Sequence, residues 1–72
     1  MKLKLNSRQI EFCREKVPFT EEERAVFDLL LEEKTYIQML FILREKGIFL
    51  TEHTIPLRVK KIREKLKRED LL

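Results

Sequence analysis

The residues of this chain best suited to chemistry are seven basic side chains gathered in one short segment. They lie between Arg58 and Arg68, where Glu64 is the single acidic residue. Residues 1 to 51 carry nine basic and nine acidic groups, so the net charge of +3 arises entirely after them. Clustered Lys and Arg side chains neutralise phosphates and release counterions, which produces salt-sensitive binding. The segment is therefore predicted to bind a polyanion; the alternative is an ordinary solvated helix face.

The other titratable residues point away from catalysis. Cys13 and His53 have no second cysteine, no second histidine and no ligand spacing beside them, as a metal site or a thiol enzyme would need. Glu32 and Glu33 are better interpreted as a solvated helix end than as catalytic carboxylates. The chain has one glycine, so it has no glycine-rich phosphate loop. We expect no enzymatic activity, no cofactor and no metal.

Length and composition indicate one small helical domain. At 72 residues the chain buries only about 60% of the surface that its unfolded form exposes, which favours a partner or a dimer. The unpaired Cys13 indicates a reducing cytoplasm. The first five residues do not resemble a signal peptide, and the longest apolar run, Met39 to Leu43, is too short to span a bilayer. We expect a cytoplasmic protein without a membrane partner; adsorption of its basic amphipathic helix to an anionic membrane is a third, weaker interpretation.

A first helix is predicted after a short N-terminal segment. Residues 1 to 5 alternate in polarity and indicate either a short strand or a frayed end. Asn6 or Ser7 can cap the helix, and Pro18 ends it because the residue before a proline is disfavoured in the helical region.

The second predicted helix is acidic. Thr20 and Glu23 form a capping box at its start, and its end is expected near Glu33. From Thr20 to Glu33 there are six acidic residues against Arg24. This segment is therefore predicted to form a surface that does not attract polyanions.

The third predicted helix runs from about Thr35 to Lys46 and is stopped by Gly47, a natural left-handed cap. From residue 36 to 43 it has one polar residue in eight. A helix that is apolar all round must be covered on most sides. Residues 36 to 43 are therefore either the hub of the fold or the interface of a homodimer.

The last helix, over about residues 51 to 68, should position the basic side chains. Its predicted inner face consists of four apolar residues at helical spacing: Ile55, Val59, Ile62 and Leu66. Its start is set by Pro56, which lacks a backbone N–H. We expect either that Thr54 caps the helix or that a distorted first turn begins at Thr51.

Three segments match the pattern of one known class of helical domain. They are FTEEERAVFDLL at 19–30, TEHTI at 51–55 and IREKL at 62–66. The first is similar to an opening helix of the form Leu-Thr, charged run, Val-Leu-x-Leu-Leu. The others are similar to Ser-Glu-x-Thr-Val and Ile-x-x-Lys-Leu. In residues 19 to 66 the chain thus resembles the LuxR/GerE-type helix-turn-helix domains, the related fourth region of sigma factors and small phage-type regulators of Gram-positive bacteria.

The resemblance implies a DNA-binding domain whose last helix lies in the major groove, while the helix from Thr35 crosses the phosphate backbone. The residues that it implies at the DNA are Thr35, Tyr36, His53, Thr54, Pro56, Leu57, Arg58, Lys60, Lys61 and Lys65. Of these, His53, Pro56 and Leu57 would face the bases. The residues near phosphates would be Thr35, Tyr36, Arg58 and Lys61, and Lys60 could serve either purpose.

The chain departs from the family at three places. Glu33 stands where the family has a glycine, and Leu40 where it has a small alanine. The segment between Leu43 and Thr51, residues 44 to 50, is much longer than the turn of the family. The expected fold is a small all-α, four-helix domain containing a helix-turn-helix with a lengthened turn.

The expected function is sequence-specific or semi-specific binding of double-stranded DNA by a transcriptional regulator of bacterial or phage type. Residues 19 to 72 would form the DNA-binding domain, and residues 1 to 18 an N-terminal extension with one short helix. Pro56 and Leu57 offer the bases only apolar contact, which leaves His53 and Lys60 as candidate hydrogen bonders. The alternative is a protein-interaction module on the same scaffold, with RNA polymerase or another regulator as its partner.

Overall fold

The computed structural model of the protein describes residues 3 to 72, which form four α-helices and no strand. The helices are α1 (Ser7–Lys16), α2 (Glu21–Leu31), α3 (Tyr36–Glu45) and α4 (Thr54–Arg68). The expected all-α, four-helix fold is confirmed. Residues 3 to 5 form no strand, and residues 1 and 2 of the predicted N-terminal segment lie outside the described part.

The first three helices begin at capping boxes, in which a short polar side chain and a Glu or Gln three residues later exchange hydrogen bonds. In α2 the Glu23 N–H donates to Thr20 Oγ1 at 3.1 Å, and the Thr20 N–H donates to Glu23 Oε1 at 2.9 Å. The same reciprocal bonds join Asn6 with Gln9 and Thr35 with Gln38. The predicted Thr20 capping box is confirmed, and Asn6 rather than Ser7 caps α1.

The last three helices end in a residue with left-handed backbone. These residues are Glu33 (φ 60°), Gly47 (φ 81°) and Asp70 (φ 56°). The backbone N–H after each one donates to a carbonyl five residues earlier, as from Ile48 to Leu43 at 2.9 Å. Gly47 is thus the cap that was predicted. Helix α2 ends at Leu31, slightly before the predicted end, and Glu33 holds the conformation that suits the glycine of the LuxR/GerE family.

Replacing Gly47 by alanine is expected to destabilise the protein by about 1 kcal/mol. A Cβ at this position meets no atom within 4 Å, so the cost comes from the backbone, whose φ of +81° is unfavourable for a residue with a side chain. Asparagine tolerates this region better, so Gly47→Asn should cost less. Urea denaturation of the three proteins measures the difference. Equal stability of the glycine and alanine proteins would contradict this account.

The core is one cluster of buried apolar side chains to which every helix contributes. Its members are Cys13, Val17, Val26, Phe27, Leu29, Leu30, Met39, Leu43, Ile55, Val59, Ile62 and Leu66. All four residues predicted for the inner face of the last helix belong to it. Cys13 and Val17 belong to it as well, so α1 shares its core with residues 19 to 72.

Helix α2, rather than the apolar α3, lies at the centre of the fold. It packs against both α3 and α4, and it has five buried residues, against two in α3, the helix that was expected to serve as the hub. In α3 only Met39 and Leu43 are fully buried, while Ile37 and Phe41 on the opposite side are 60% and 62% exposed. The expectation that this helix is covered on most sides is therefore wrong for the single chain. Its outer side is an exposed apolar surface.

Helix α4 begins with a distorted turn that starts at Thr51. The Thr54 N–H donates to Thr51 Oγ1 at 3.2 Å, the Thr51 N–H donates to Thr54 Oγ1 at 2.7 Å, and the Ile55 N–H donates to the Thr51 carbonyl. Pro56 has no N–H with which to continue this pattern, so the regular helix begins at Thr54. Of the two expected starts, the one in which Thr54 is the cap does not form. His53 precedes the helix, and its side chain makes no capping hydrogen bond. The distorted turn from Thr51 is the alternative that forms.

Candidate nucleic-acid interface

Two flanks of α4 carry its basic side chains on either side of the buried face. Successive residues of a helix turn by about 100°, so residues three, four or seven apart share a flank. The flank beside α2 carries Arg58, Lys61 and Lys65. The flank beside the start of α3 carries Lys60, Arg63 and Lys67. The single basic stripe expected from the sequence is thus divided into two.

The flank beside α2 is largely neutralised within the protein. Arg58 forms an ion pair with Glu22, with 3.6 Å between Nη2 and Oε1. Lys65 Nζ lies 2.5 Å from Glu23 Oε1 and donates to the Pro18 carbonyl at 2.9 Å. Lys61 is exposed and lines a cleft between α4 and the start of α2. The acidic first turn of α2 therefore lies against the basic helix and pairs with two of its cations.

Glu23 is the buried member of this contact. It is 3% exposed, and among residues 3 to 72 it is the one charged residue that is buried. Burial acts to raise the pKa of Glu23, but the hydrogen bonds from Lys65 and from the Thr20 N–H, with the nearby Lys65 charge, outweigh it and hold the pKa below its ordinary value. The Lys65 amine also lies 6.0 Å from the centre of the Phe19 ring. Lys65 therefore has a structural role.

A groove opens along the other flank, between α4 and the first residue of α3. Its volume is about 390 Å³. The lining residues are Tyr36, Pro56, Val59, Lys60, Arg63, Glu64 and Lys67. The charged residues of the lining are three cations and one carboxylate. Its apolar and aromatic walls come from Pro56, Val59 and Tyr36.

The structure brings together some of the predicted site residues and separates others. Tyr36, Pro56 and Lys60 share the groove. Arg58, Lys61 and Lys65 lie on the opposite flank, as described above. The hydroxyls of Thr35 and Thr54 are used in local hydrogen bonds at helix starts. His53 and Leu57 are exposed near the start of α4.

Sequence reasoning left Arg63 and Lys67 out of the candidate site. They follow Lys60 by three and seven residues, which is the spacing that places side chains on one flank of a helix. That signal was present in the sequence. The position of Tyr36 beside them was not, because it depends on how α3 packs.

Exposed apolar side chains form the second prominent surface feature. Ile37 and Phe41 lie one turn apart on the outer side of α3, and Phe49, in the segment that follows, is 75% exposed. Leu57 on α4 is 57% exposed. The rest of the chain, as described from residue 3 to 72, leaves most of the Ile37 and Phe41 side chains uncovered.

Cys13 is a core residue. It has no exposed surface, and burial raises the pKa of its thiol, with the negative charge of Glu69 acting in the same direction. The thiol thus packs as a small apolar group. Residues 3 to 72 contain no group of three His, Cys, Asp or Glu side chains placed to hold a metal ion. Within the same range, every helix is too short or too polar to cross a membrane.

Comparisons with known protein families, with curated proteins and with solved structures found no match to this chain. The resemblance to the LuxR/GerE family therefore depends on its three sequence segments alone.

Proposed function

We propose that this protein binds double-stranded DNA through α4 and acts as a cytoplasmic transcriptional regulator. The observation that supports the proposal is a set of exposed cations on α4 that form no salt bridge and can therefore contact phosphates. Within residues 3 to 72, no salt bridge engages Lys60, Lys61, Lys67 or Arg68. Because Arg58 and Lys65 pair with α2 and Arg63 also has an interaction partner, these four residues are the phosphate contacts that the helix can offer.

In this proposal α3 and α4 are the two helices of a helix-turn-helix, joined by a long connection over residues 46 to 53. The N-terminal half of α4 lies in the major groove, as in other helix-turn-helix proteins. Exposed His53 and Leu57 support this orientation, because both can reach base edges from that end. Leu57 offers only apolar contact, for example with a thymine methyl group. Specificity is therefore modest, or comes from two copies of the protein on one site.

The proposal predicts duplex binding that weakens with salt in proportion to four phosphate contacts. The slope of log K against log salt should be about −3.6, so that affinity falls about 150-fold between 50 and 200 mM salt. Bound duplexes are selected from a random pool at both salt concentrations, which reveals any sequence preference. Anisotropy titration of the selected duplexes then measures the slope. Salt-independent binding, or no binding by folded protein, would refute the proposal.

A second function, self-association through α3, is favoured by the exposure of Ile37 and Phe41. Two antiparallel copies of α3 related by a two-fold axis would place Ile37 of each copy against Phe41 of the other. The two side chains can bury roughly 250 Å² of apolar surface per copy, judged from the 150–250 Å² of an aromatic residue. This is below the size of standard stable interfaces, so the dimer should be weak and assisted by a shared DNA site.

Phe41→Ser is expected to weaken this dimer at least tenfold, because it removes the larger of the two apolar contacts. Phe12→Ser is the matched control, since Phe12 is an exposed phenylalanine on another helix, α1. Sedimentation equilibrium over a range of protein concentrations measures both variants and the unsubstituted protein. An equal effect of the two substitutions would rule out α3 as the interface.

A further inference from the structure

The two ion pairs between α2 and α4 differ in how firmly they hold their cations. Lys65 pairs with the buried Glu23 and also donates a hydrogen bond to the Pro18 carbonyl. The salt bridge of Arg58 with Glu22 spans 3.6 Å, which is too long for a hydrogen bond, and the two side chains are 33% and 40% exposed. Solvated pairs of this kind contribute little to stability. The pair of Arg58 can therefore open without disturbing the core.

Arg58 occupies a position from which it can contact the DNA of the proposed function. It precedes Lys61 by three residues on the flank of α4 beside α2, so the two positions lie about 4.5 Å apart along the helix axis. Lys61 is one of the four cations assigned to phosphates above. Arg58 also belongs to the N-terminal half of α4, which lies in the major groove in that proposal. A released Arg58 is thus placed to make a fifth phosphate contact.

The acidic start of α2 opposes such a contact. A cleft of about 420 Å³ separates it from α4, and its charged lining consists of Glu21, Glu22, Glu23, Arg58 and Lys61. A phosphate that approached Arg58 here would come close to the Glu22 carboxylate, and two negative charges repel each other. Contact between Arg58 and a phosphate therefore requires that Glu22 be displaced or lose its charge.

We propose that Glu22 is a positioning residue that keeps Arg58 from contacting DNA and so limits the affinity and the salt sensitivity of duplex binding. The inference rests on the proposed function and adds a regulatory contact to the same surface. In the unsubstituted protein Arg58 stays paired with Glu22 when α4 binds a duplex, and four cations contact phosphates. When the charge of Glu22 is removed, Arg58 becomes the fifth.

Glu22→Gln should strengthen duplex binding and increase its dependence on salt. A fifth contact changes the slope of log K against log salt from about −3.6 to about −4.5. Affinity should rise about 15-fold at 50 mM salt and about fourfold at 200 mM, if a contact contributes nothing at 1 M. Anisotropy titrations of one mixed-sequence duplex at both salt concentrations measure these changes. The capping box of α2 uses Thr20 and Glu23, so the variant should fold, and its unfolding transition verifies this.

Glu32→Gln is the matched control for the change of net charge. It removes the same charge at an exposed position ten residues from Glu22, about 15 Å along α2. Because salt screens charges at that distance, the control should change affinity less than about twofold and leave the slope near that of the unsubstituted protein.

Arg58→Gln separates release of the arginine from simple loss of repulsion. Alone it should leave the slope near −3.6, because a paired Arg58 makes no phosphate contact, and Glu22→Gln added to it should not steepen the slope. If the unsubstituted protein binds duplex and Glu22→Gln has the same slope, this inference is overturned and the proposed function stands. Equal steepening with and without Arg58 overturns it in the same way. If neither the unsubstituted protein nor Glu22→Gln binds duplex, both proposals are refuted.

Discussion

The double substitution Lys60→Glu with Lys61→Glu is expected to abolish binding of duplex DNA while the protein remains folded. The two side chains are exposed, occupy successive positions on opposite flanks of α4, and have no salt bridge within the described residues. Reversing them removes two phosphate contacts and places two negative charges against the DNA backbone. We expect at least a 100-fold loss of affinity in anisotropy titrations at low salt, where each contact contributes most.

A matched control keeps the change of net charge but moves it away from α4. Lys4→Glu with Arg8→Glu also lowers the net charge by four, at exposed positions at the start of the chain. If general charge attraction governs binding, both double variants lose affinity equally. If α4 is the interface, the control retains most of its affinity. Surface substitutions of this kind change the free energy of unfolding by about 1 kcal/mol at most, so denaturation curves exclude misfolding as the cause.

The largest expected effect on stability comes from Lys65→Met. This change leaves the buried Glu23 carboxylate without its charged partner, and removing one member of a buried pair costs about 3–5 kcal/mol. Because Lys65 is partly solvated, we expect the lower end, about 3 kcal/mol. In a domain of this size that corresponds to a fall in melting temperature of more than about 10 °C. Lys61→Met, which removes an exposed lysine from the same flank, should cause a much smaller change.

Adding Glu23→Gln to Lys65→Met should restore most of the lost stability. The neutral amide no longer needs a cation, and it can still accept from the Thr20 N–H. Gln9 and Gln38 make the same bond in the other two capping boxes. Thermal unfolding of the two single variants and the double variant forms a double-mutant cycle. If the double variant is as unstable as the sum of the single ones, the two residues do not form an energetic pair.

The same pair predicts how stability depends on pH. The pKa of Glu23 is lowered in the folded protein, so its contribution is fully present above the ordinary glutamate pKa of about 4.3. That contribution is lost as the pH falls through the lowered pKa, because the folded state then takes up the proton that the unfolded state already carries. Glu23→Gln should therefore flatten the loss of stability below about pH 4. Denaturation curves collected across this pH range measure the effect. If the dependence of stability on pH is the same in Glu23→Gln as in the unsubstituted protein, the pairing is unimportant.

The sequence by itself determined most of the helix ends and the buried face of the last helix. The Thr20 capping box, the Gly47 cap and the inner face of α4 were all predicted correctly, because they depend on hydrogen bonds and periodicity within a few residues. The error at the start of α4 arose at Pro56. There, both Thr51 and Thr54 could cap, and the reciprocal hydrogen bonds between these two residues form a first turn that starts at Thr51.

The tertiary structure alone decided which charges are neutralised and which apolar residues are exposed. Glu23 and Lys65 are 42 positions apart, and no local pattern indicates that they meet. Nor does the sequence of α3 indicate that Ile37 and Phe41 point outward while α2 becomes the centre of the core. Local interactions fix a helix and its ends, but its rotation about its own axis is set by packing against distant helices. That rotation places Arg58 and Lys65 against the acidic start of α2 and leaves Lys60, Lys61, Lys67 and Arg68 exposed without a salt bridge among the described residues.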